Sequence, residues 1–173
     1  MMKRIGFFIA VSFVVLSLDW WTKTLAIESL KDSFPRYYLG GFFRLMYAEN
    51  TGAWGSMGSD WSPTLRLLFL IVLPMVVLIG MMVFAIIHDK VSKLDLWSYA
   101  LIVSGGLGNL IDRMRFGHVV DMFWMGFDLP YAHTNVFNIA DVAIMIGFGL
   151  LLLGQYKEWR AKKSDSTPTV SIV

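Results

Sequence analysis

The sequence contains no cysteine. That excludes disulfides, thiolate-ligated metals, a thiol nucleophile and lipid attachment to cysteine. Charge is scarce as well. Asp, Glu, Lys and Arg make up only 16% of the 173 residues, with a formal net charge of +2. No basic stripe interleaved with aromatics appears, so nucleic acid is not an expected partner. Apolar side chains fill the remainder: 56% of residues are hydrophobic and the mean hydropathy is +0.59. A soluble domain of this length would be less apolar. The composition implies a single integral membrane domain over residues 1–160. A polar tail, 161–173, follows, ends in SDSTPTVSIV, and is expected to be disordered.

Four apolar runs approach the roughly 20 residues that a bilayer crossing needs. They cover about 5–27, 65–87, 94–111 and 136–154. Pro74 should kink the second, because proline removes a backbone donor. The first follows Lys3 and Arg4 like a signal peptide, yet SLDWWTK follows it with no small-x-small cleavage site. It is therefore read as a retained helix.

Basic residues set the expected orientation. Lys3 and Arg4 precede the first span, Lys90 and Lys93 lie between the second and third, and Lys157, Arg160, Lys162 and Lys163 follow the fourth. With four spans these regions share one side, and the positive-inside rule makes that side cytoplasmic. The longer loops, about 28–64 and 112–135, then face outward. In the first, RYYLGGFFRLMYAEN carries aromatic-rich runs on either side of Gly40 and Gly41. That pattern predicts a β-hairpin. Its aromatics suit the headgroup zone, either as a belt anchor or as a surface that also holds a lipid or peptide.

An ionisable group within a span is a functional-site hypothesis, weighed against a packing role. Asp19 and Lys23 are four apart, share a helix face and can pair; a packing role is the expectation for Lys23. Gly105, Asn109 and Arg113 form one stripe on the third span, where glycine permits close helix approach and the polar pair can orient a neighbouring carboxylate. Asp112 is expected at the water boundary, in a structural hydrogen bond or local ion pair. Asp121 sits in VVDMFW, a β-favouring run. Asp141 sits in FNIAD, about six residues (roughly 9 Å) into the fourth helix, with Asn138 on nearly the same face. The link between spans three and four can fold Asp121 back towards Asp141. Two carboxylates in a partly dry site share a proton, as an aspartic protease requires. On spacing alone, a loop acid and a separate buried structural acid remain the alternative.

Five blocks occur in order: LDWWTK at 18–23, NTGAWG at 50–55, GGLGNLIDR at 105–113, GHVVD at 117–121 and FNIAD at 137–141. With them the chain resembles the lipoprotein signal peptidase (signal peptidase II) family of bacterial inner-membrane aspartic proteases. The resemblance covers nearly everything except the tail. It implies an all-α membrane protein of four transmembrane helices with a small extracytoplasmic β-sheet cradle. Asp121 and Asp141 match the catalytic dyad. Asp19, Lys23, Asn50, Gly52, Gly105, Gly108, Asn109, Arg113, Asn138 and Ala140 match the surrounding motif positions. The implied reaction removes the signal peptide of a prolipoprotein just before its diacylglyceryl-modified cysteine. It needs no metal or other cofactor and is blocked by globomycin. The implied enzyme is a monomer that meets its lipid-modified substrate within the membrane, at a site near the outer face. In NTGAWG, Trp54 comes one residue earlier than the family's usual aromatic, which bears on the shape of that loop.

Other readings predict other patterns. A proton-coupled transporter would string ionisable groups across the membrane depth, whereas these gather towards one side. A metal hydrolase could draw on His118, Asp121, Asp128 and His133, but no HExxH-like spacing exists. Ser104 with Lys23 could mimic a serine–lysine pair, though Asp19 is the nearer partner for Lys23. A non-enzymatic scaffold would tolerate Asp→Asn changes at both candidate acids.

Overall fold

The computed structural model describes residues 1–53, 57–127 and 132–165. Trp54 and Asp128, singled out above, lie outside the described residues. Four helices long and apolar enough to cross a membrane form a bundle: α1 (Met2–Leu30), α2 (Pro63–Ile87), α3 (Lys93–Phe116) and α4 (Ile139–Asp165). Among the described residues three strands accompany them: β1 (Arg36–Tyr38), β2 (Phe43–Asn50) and β3 (Val119–Met125). The architecture is mostly helical with one small antiparallel sheet, ordered β1-β2-β3.

Each helix end has a local cause. Ser62 caps α2 through Leu65 N–H, with Pro63 at the first helical position. The ring of Pro74 would collide with the carbonyl one turn earlier. A π turn over Leu68–Val72 relieves this, with Leu73 N–H reaching back to Leu68 O. Ser92 caps α3, and Gly117, at φ 75°, ends it in a left-handed turn that feeds directly into β3.

Two of the expected boundaries move. The third helix does not stop at Ile111; it continues to Phe116, carrying Asp112 and Arg113 inside its last turns. The fourth begins at Ile139 rather than 136, because Phe137 exchanges backbone hydrogen bonds with Phe123 of β3. That pairing forces an extended conformation where hydrophobicity alone suggested helix. At its far end α4 runs to Asp165, five residues into the segment expected as tail.

The hairpin forms where expected. Leu39, Gly40 and Gly41 take positive φ between β1 and β2. Tyr37, Tyr38, Leu39 and the preceding Phe34 are exposed around its tip. β3 then adds to the other edge of β2. Between Leu45↔Phe123 and Ala48↔Asp121, a bulge sets two residues of β2 against one of β3. Side chains alternate along a strand, so a one-residue shift exchanges the faces. The bulge therefore puts Asn50, and not Glu49, on the same face as Asp121.

The opposite face of β3 closes the end of α1. Val120 and Met122 pack with Ala26 and Leu30, joined by Ile27 and Tyr47. Further along the bundle, the interior is apolar and held by Phe8, Val11, Val15, Leu78, Ala100, Val103 and Leu110. Arg4 seals the far end by donating to the carbonyls of Ala85 and His88. The outward faces of α2 and α4 carry exposed Val76, Ile79, Met145, Phe148 and Leu152, as a lipid-facing surface requires.

Candidate active site

Polar side chains converge where the C-terminal ends of α1 and α3 and the N-terminal end of α4 meet β3. Helix approach there depends on small residues. A Cβ added at Gly105 would collide with the Ala140 carbonyl oxygen, and one added at Gly108 would lie 2.8 Å from Asp19 Oδ2. The two glycines thus let α4 and the Asp19 carboxylate lie directly on α3. Ala140 itself is fully buried, and a larger side chain there would meet the same wall.

Asp121 projects from the middle of β3 and is buried to 2% exposure. Its Oδ1 accepts from Asn138 Nδ2 at 2.7 Å and its Oδ2 from Asn50 Nδ2 at 3.2 Å. Asn50 is held in turn, its Oδ1 accepting from Gly52 N–H at 3.1 Å in a tight Asx turn. Burial, reinforced by the negative charge of Asp141, pushes the Asp121 carboxyl from its ordinary 3.8 up to about 7; the two asparagine amides oppose the shift only partly.

Asp141 sits in the first turn of α4, shallower than the six-residue depth expected. Asn138 is its cap. Asn138 Oδ1 accepts from Asp141 N–H at 2.9 Å, and Asp141 Oδ2 accepts from Asn138 N–H at 3.1 Å. This reciprocal pair is a capping box built from Asn and Asp. The remaining oxygen, Oδ1, accepts from Asn109 Nδ2 at 2.8 Å. A helix N-terminus favours negative charge, and here one backbone N–H and one amide also point at the carboxylate.

Asn138 therefore grips both acids, Asp121 by its amide and Asp141 by its backbone. The sequence reading placed Asn138 beside Asp141 on one helix face; it lies instead just outside the helix. Asn109 Oδ1 also accepts from Asn138 Nδ2 at 3.0 Å and from Lys23 Nζ at 3.2 Å, so the amides form one continuous array.

Behind the acids lies a second layer. Lys23 Nζ is 2.7 Å from Asp19 Oδ2 and 2.9 Å from Asp112 Oδ2. Asp112 is thus neither at the water boundary nor cheaply charged: it is 7% exposed and ion-paired across helices. Its expected structural role is met at the backbone, where Oδ2 accepts from Val120 N–H at 3.1 Å.

Arg113, expected to orient the acids or nearby backbone, engages the backbone: Nη2 donates to Gly52 O at 2.8 Å and Nη1 to Asn109 O at 3.4 Å. It fastens the Asn50–Gly52 loop to α3. Arg66 was overlooked. From the first turn of α2 it donates to Thr51 O at 2.9 Å and Gly117 O at 3.1 Å, fastening the same loop from the other side. A lone arginine opening an apolar span was the available signal.

Among the described residues the rival constellations do not assemble. His118 precedes β3 and lies by Glu49, whereas His133 stacks on Trp124 beyond the strand's middle. The seven residues of β3 separate them, on the order of 20 Å at strand rise. Ser104 donates to Ala100 O and bonds Ser12, with Lys23 engaged elsewhere.

The chain was compared with known proteins on this footing. A family profile described as "Signal peptidase (SPase) II" matches residues 11–157. A lipoprotein signal peptidase of Pelodictyon phaeoclathratiforme is 34% identical over 172 residues, covering 94% of this chain and 98% of that protein. One of Haemophilus influenzae is 34% identical over 167 residues, covering 95% of each. A solved bacterial membrane enzyme, determined by the in meso method, superposes with a TM-score of 0.78 at 25% identity, covering 95% of this chain and 94% of that one. With four candidate spans, the matched profile and relatives of nearly equal length, the chain belongs to the signal peptidase II family, the aspartic lipoprotein signal peptidases of bacterial membranes.

Proposed function

We propose that Asp121 and Asp141 are the catalytic dyad of this peptidase, and that it cleaves prolipoproteins immediately before their diacylglyceryl-modified cysteine. The observation that carries this reading is Asn138 holding both carboxylates at once, one by its amide and one by its backbone. The two environments divide the labour. Asp121, buried and lifted to about 7, keeps a proton near neutrality. Asp141, at a helix N-terminus and only half-buried, is the member that water can reach.

Chemistry follows from that division. Asp141 takes a proton from water as its oxygen attacks the scissile carbonyl, while Asp121 gives its proton to the carbonyl oxygen. As the tetrahedral intermediate collapses, the Asp141 proton passes to the departing cysteine nitrogen. The intermediate's hydroxyl returns a proton to Asp121. No covalent enzyme intermediate forms, and the starting protonation is restored.

The placement suits a membrane substrate. A signal peptide's apolar segment is itself a membrane helix, and the diacylglyceryl chains lie in lipid, so substrate must enter laterally. In the proposed orientation both termini and the Lys90–Lys93 link are cytoplasmic, and the sheet lies at the outer face. Residues 1–160 act as one peptidase domain and the chain works as a monomer. The same site is the expected target of globomycin.

The test is cleavage of a diacylglyceryl-modified prolipoprotein by purified protein, with globomycin as a parallel arm. Loss of cleavage in Asp121→Asn and Asp141→Asn supports the dyad. Cleavage abolished by a chelator would move the reaction to a metal mechanism instead.

A further inference from the structure

The buried ammonium of Lys23 does not touch either proposed catalytic acid in the hydrogen-bond network. Its partners reveal a pattern. Lys23 Nζ holds Asp19 Oδ2 at 2.7 Å and Asp112 Oδ2 at 2.9 Å. Asp19 Oδ1 accepts from the backbone N–H of Ala140 at 2.9 Å, the residue immediately before Asp141. Asp112 Oδ2 accepts from the backbone N–H of Val120 at 3.1 Å, the residue immediately before Asp121. One cation on α1 thus fixes two carboxylates, and each carboxylate fixes the peptide that carries one member of the dyad. Its third contact, to Asn109 Oδ1, leads through Asn109 Nδ2 to Asp141.

We infer that Lys23 is a positioning residue which, through Asp19 and Asp112, sets the separation of the two catalytic aspartates. The inference rests on the dyad reading above.

Three arguments support it. First, β3 and the start of α4 are separate pieces of chain, and a backbone grip on each is the shortest way to fix one against the other. Second, a plain packing pair would need only Lys23 and Asp19, which already satisfy each other on one helix. The second carboxylate is an added desolvation cost that the Lys23–Asp19 pair alone would not carry. Third, Lys23 and Asp19 are each 3% exposed. Through Asp19 and Asp112 the contacts lead to the peptides that precede the two acids and not to the acids' own carboxylates. Positioning within fractions of an ångström governs rate more than binding.

The role makes specific demands on variants. Without the ammonium, Lys23→Met leaves Asp19 and Asp112 facing each other unneutralised. With no cation to hold them together, their grips on the two peptides are no longer fixed against each other. Asp112→Ala removes one grip outright. Asp112→Asn is the conservative control, since a single amide oxygen can accept from both Lys23 and Val120 as Oδ2 does.

The experiment is steady-state kinetics of detergent-purified full-length variants on a diacylglyceryl-modified prolipoprotein, with thermal unfolding as the check on folding. For folded Lys23→Met and Asp112→Ala the expectation is a kcat lowered by about a hundredfold with KM changed less than about threefold. Asp112→Asn should recover at least about a tenfold part of that loss. Where Lys23→Met fails to fold, Asp112→Ala against Asp112→Asn carries the test alone. Near-parental kcat in folded Asp112→Ala, or a loss expressed mainly in KM, overturns the inference. So does an Asp112→Asn enzyme as inactive as Asp121→Asn, which would make Asp112 a proton-transfer group. Asp121→Asn and Asp141→Asn run alongside separate the two failures. If they are active, the dyad reading falls; if they are inactive while the Lys23 and Asp112 variants are normal, only the positioning role falls.

Discussion

At the scale of single residues, the balance of donors decides what each acid does. Asp121 receives only two side-chain amides in a buried setting, so its proton is retained up to about pH 7. Cleavage should therefore fall as pH rises through about 7 and Asp121 loses the proton it must donate; a kcat–pH profile of the purified enzyme checks this. Stability carries the same signature. Between its ordinary 3.8 and about 7, folded Asp121 binds more proton than unfolded Asp121 does, so raising pH through that window weakens the fold, and the loss is complete above about 7. Replacing the group removes the penalty. The melting temperature of Asp121→Asn relative to the parent should thus be higher at about pH 8 than at about pH 4, read by thermal unfolding at both. Asn138 is the other decisive residue. Asn138→Ala removes a helix cap and one Asp121 donor together. It should lower kcat by about a hundredfold and cost about 1 kcal/mol in stability, measured by kinetics and thermal unfolding on one preparation.

At the scale of elements, the site is the product of three local devices. A glycine face on α3 admits α4, a bulge in β2 aims Asn50, and a capping box starts α4 at the right residue. Gly105→Ala should push α4 away, because the new methyl meets the Ala140 carbonyl, which cannot turn aside, as well as the Ile144 side chain. A loss of about 1–3 kcal/mol is expected, checked by the shift in unfolding temperature. These devices also show how far the sequence could be read. Helices were legible from hydrophobic runs, and the hairpin from paired aromatic segments around Gly-Gly. The start of α4 was not, because Val136 and Phe137 are apolar in either conformation, and only pairing with Phe123 makes Phe137 extended. Nor was the β2–β3 register, since residues 43–50 and 119–125 lie far apart in the chain and the bulge that aligns Asn50 leaves no local pattern. Asp112 was misplaced for a related reason. Its partners, Lys23 and Val120, come from two other elements, so nothing next to it in sequence signals burial.

At the scale of the whole molecule, polarity is segregated by depth. Ionisable groups with buried partners cluster where α1, α3 and α4 meet the sheet, and among the described residues the remainder of the bundle interior buries apolar side chains and serine hydroxyls. The i, i+4 spacing of Asp19 and Lys23 was legible as a pair, but that Asp112 joins them beneath the two acids emerged only from three-dimensional contacts. The proposed orientation has a direct test that the composition makes simple. With no native cysteine, single introduced cysteines report without background. In intact spheroplasts, Tyr37→Cys should react with a membrane-impermeant maleimide, and Lys157→Cys only after permeabilisation. The reverse pattern would invert the molecule and put the sheet in the cytoplasm.

The central claim is that Asp121 and Asp141 act together on one water molecule. It is tested most directly by cleavage of a diacylglyceryl-modified prolipoprotein with purified parent, Asp121→Asn and Asp141→Asn, each verified as folded. The account predicts that either substitution lowers the rate by about a thousandfold or more, because each removes one half of a single proton-transfer pair. A folded variant of either kind that cleaves at the parent's rate would contradict it.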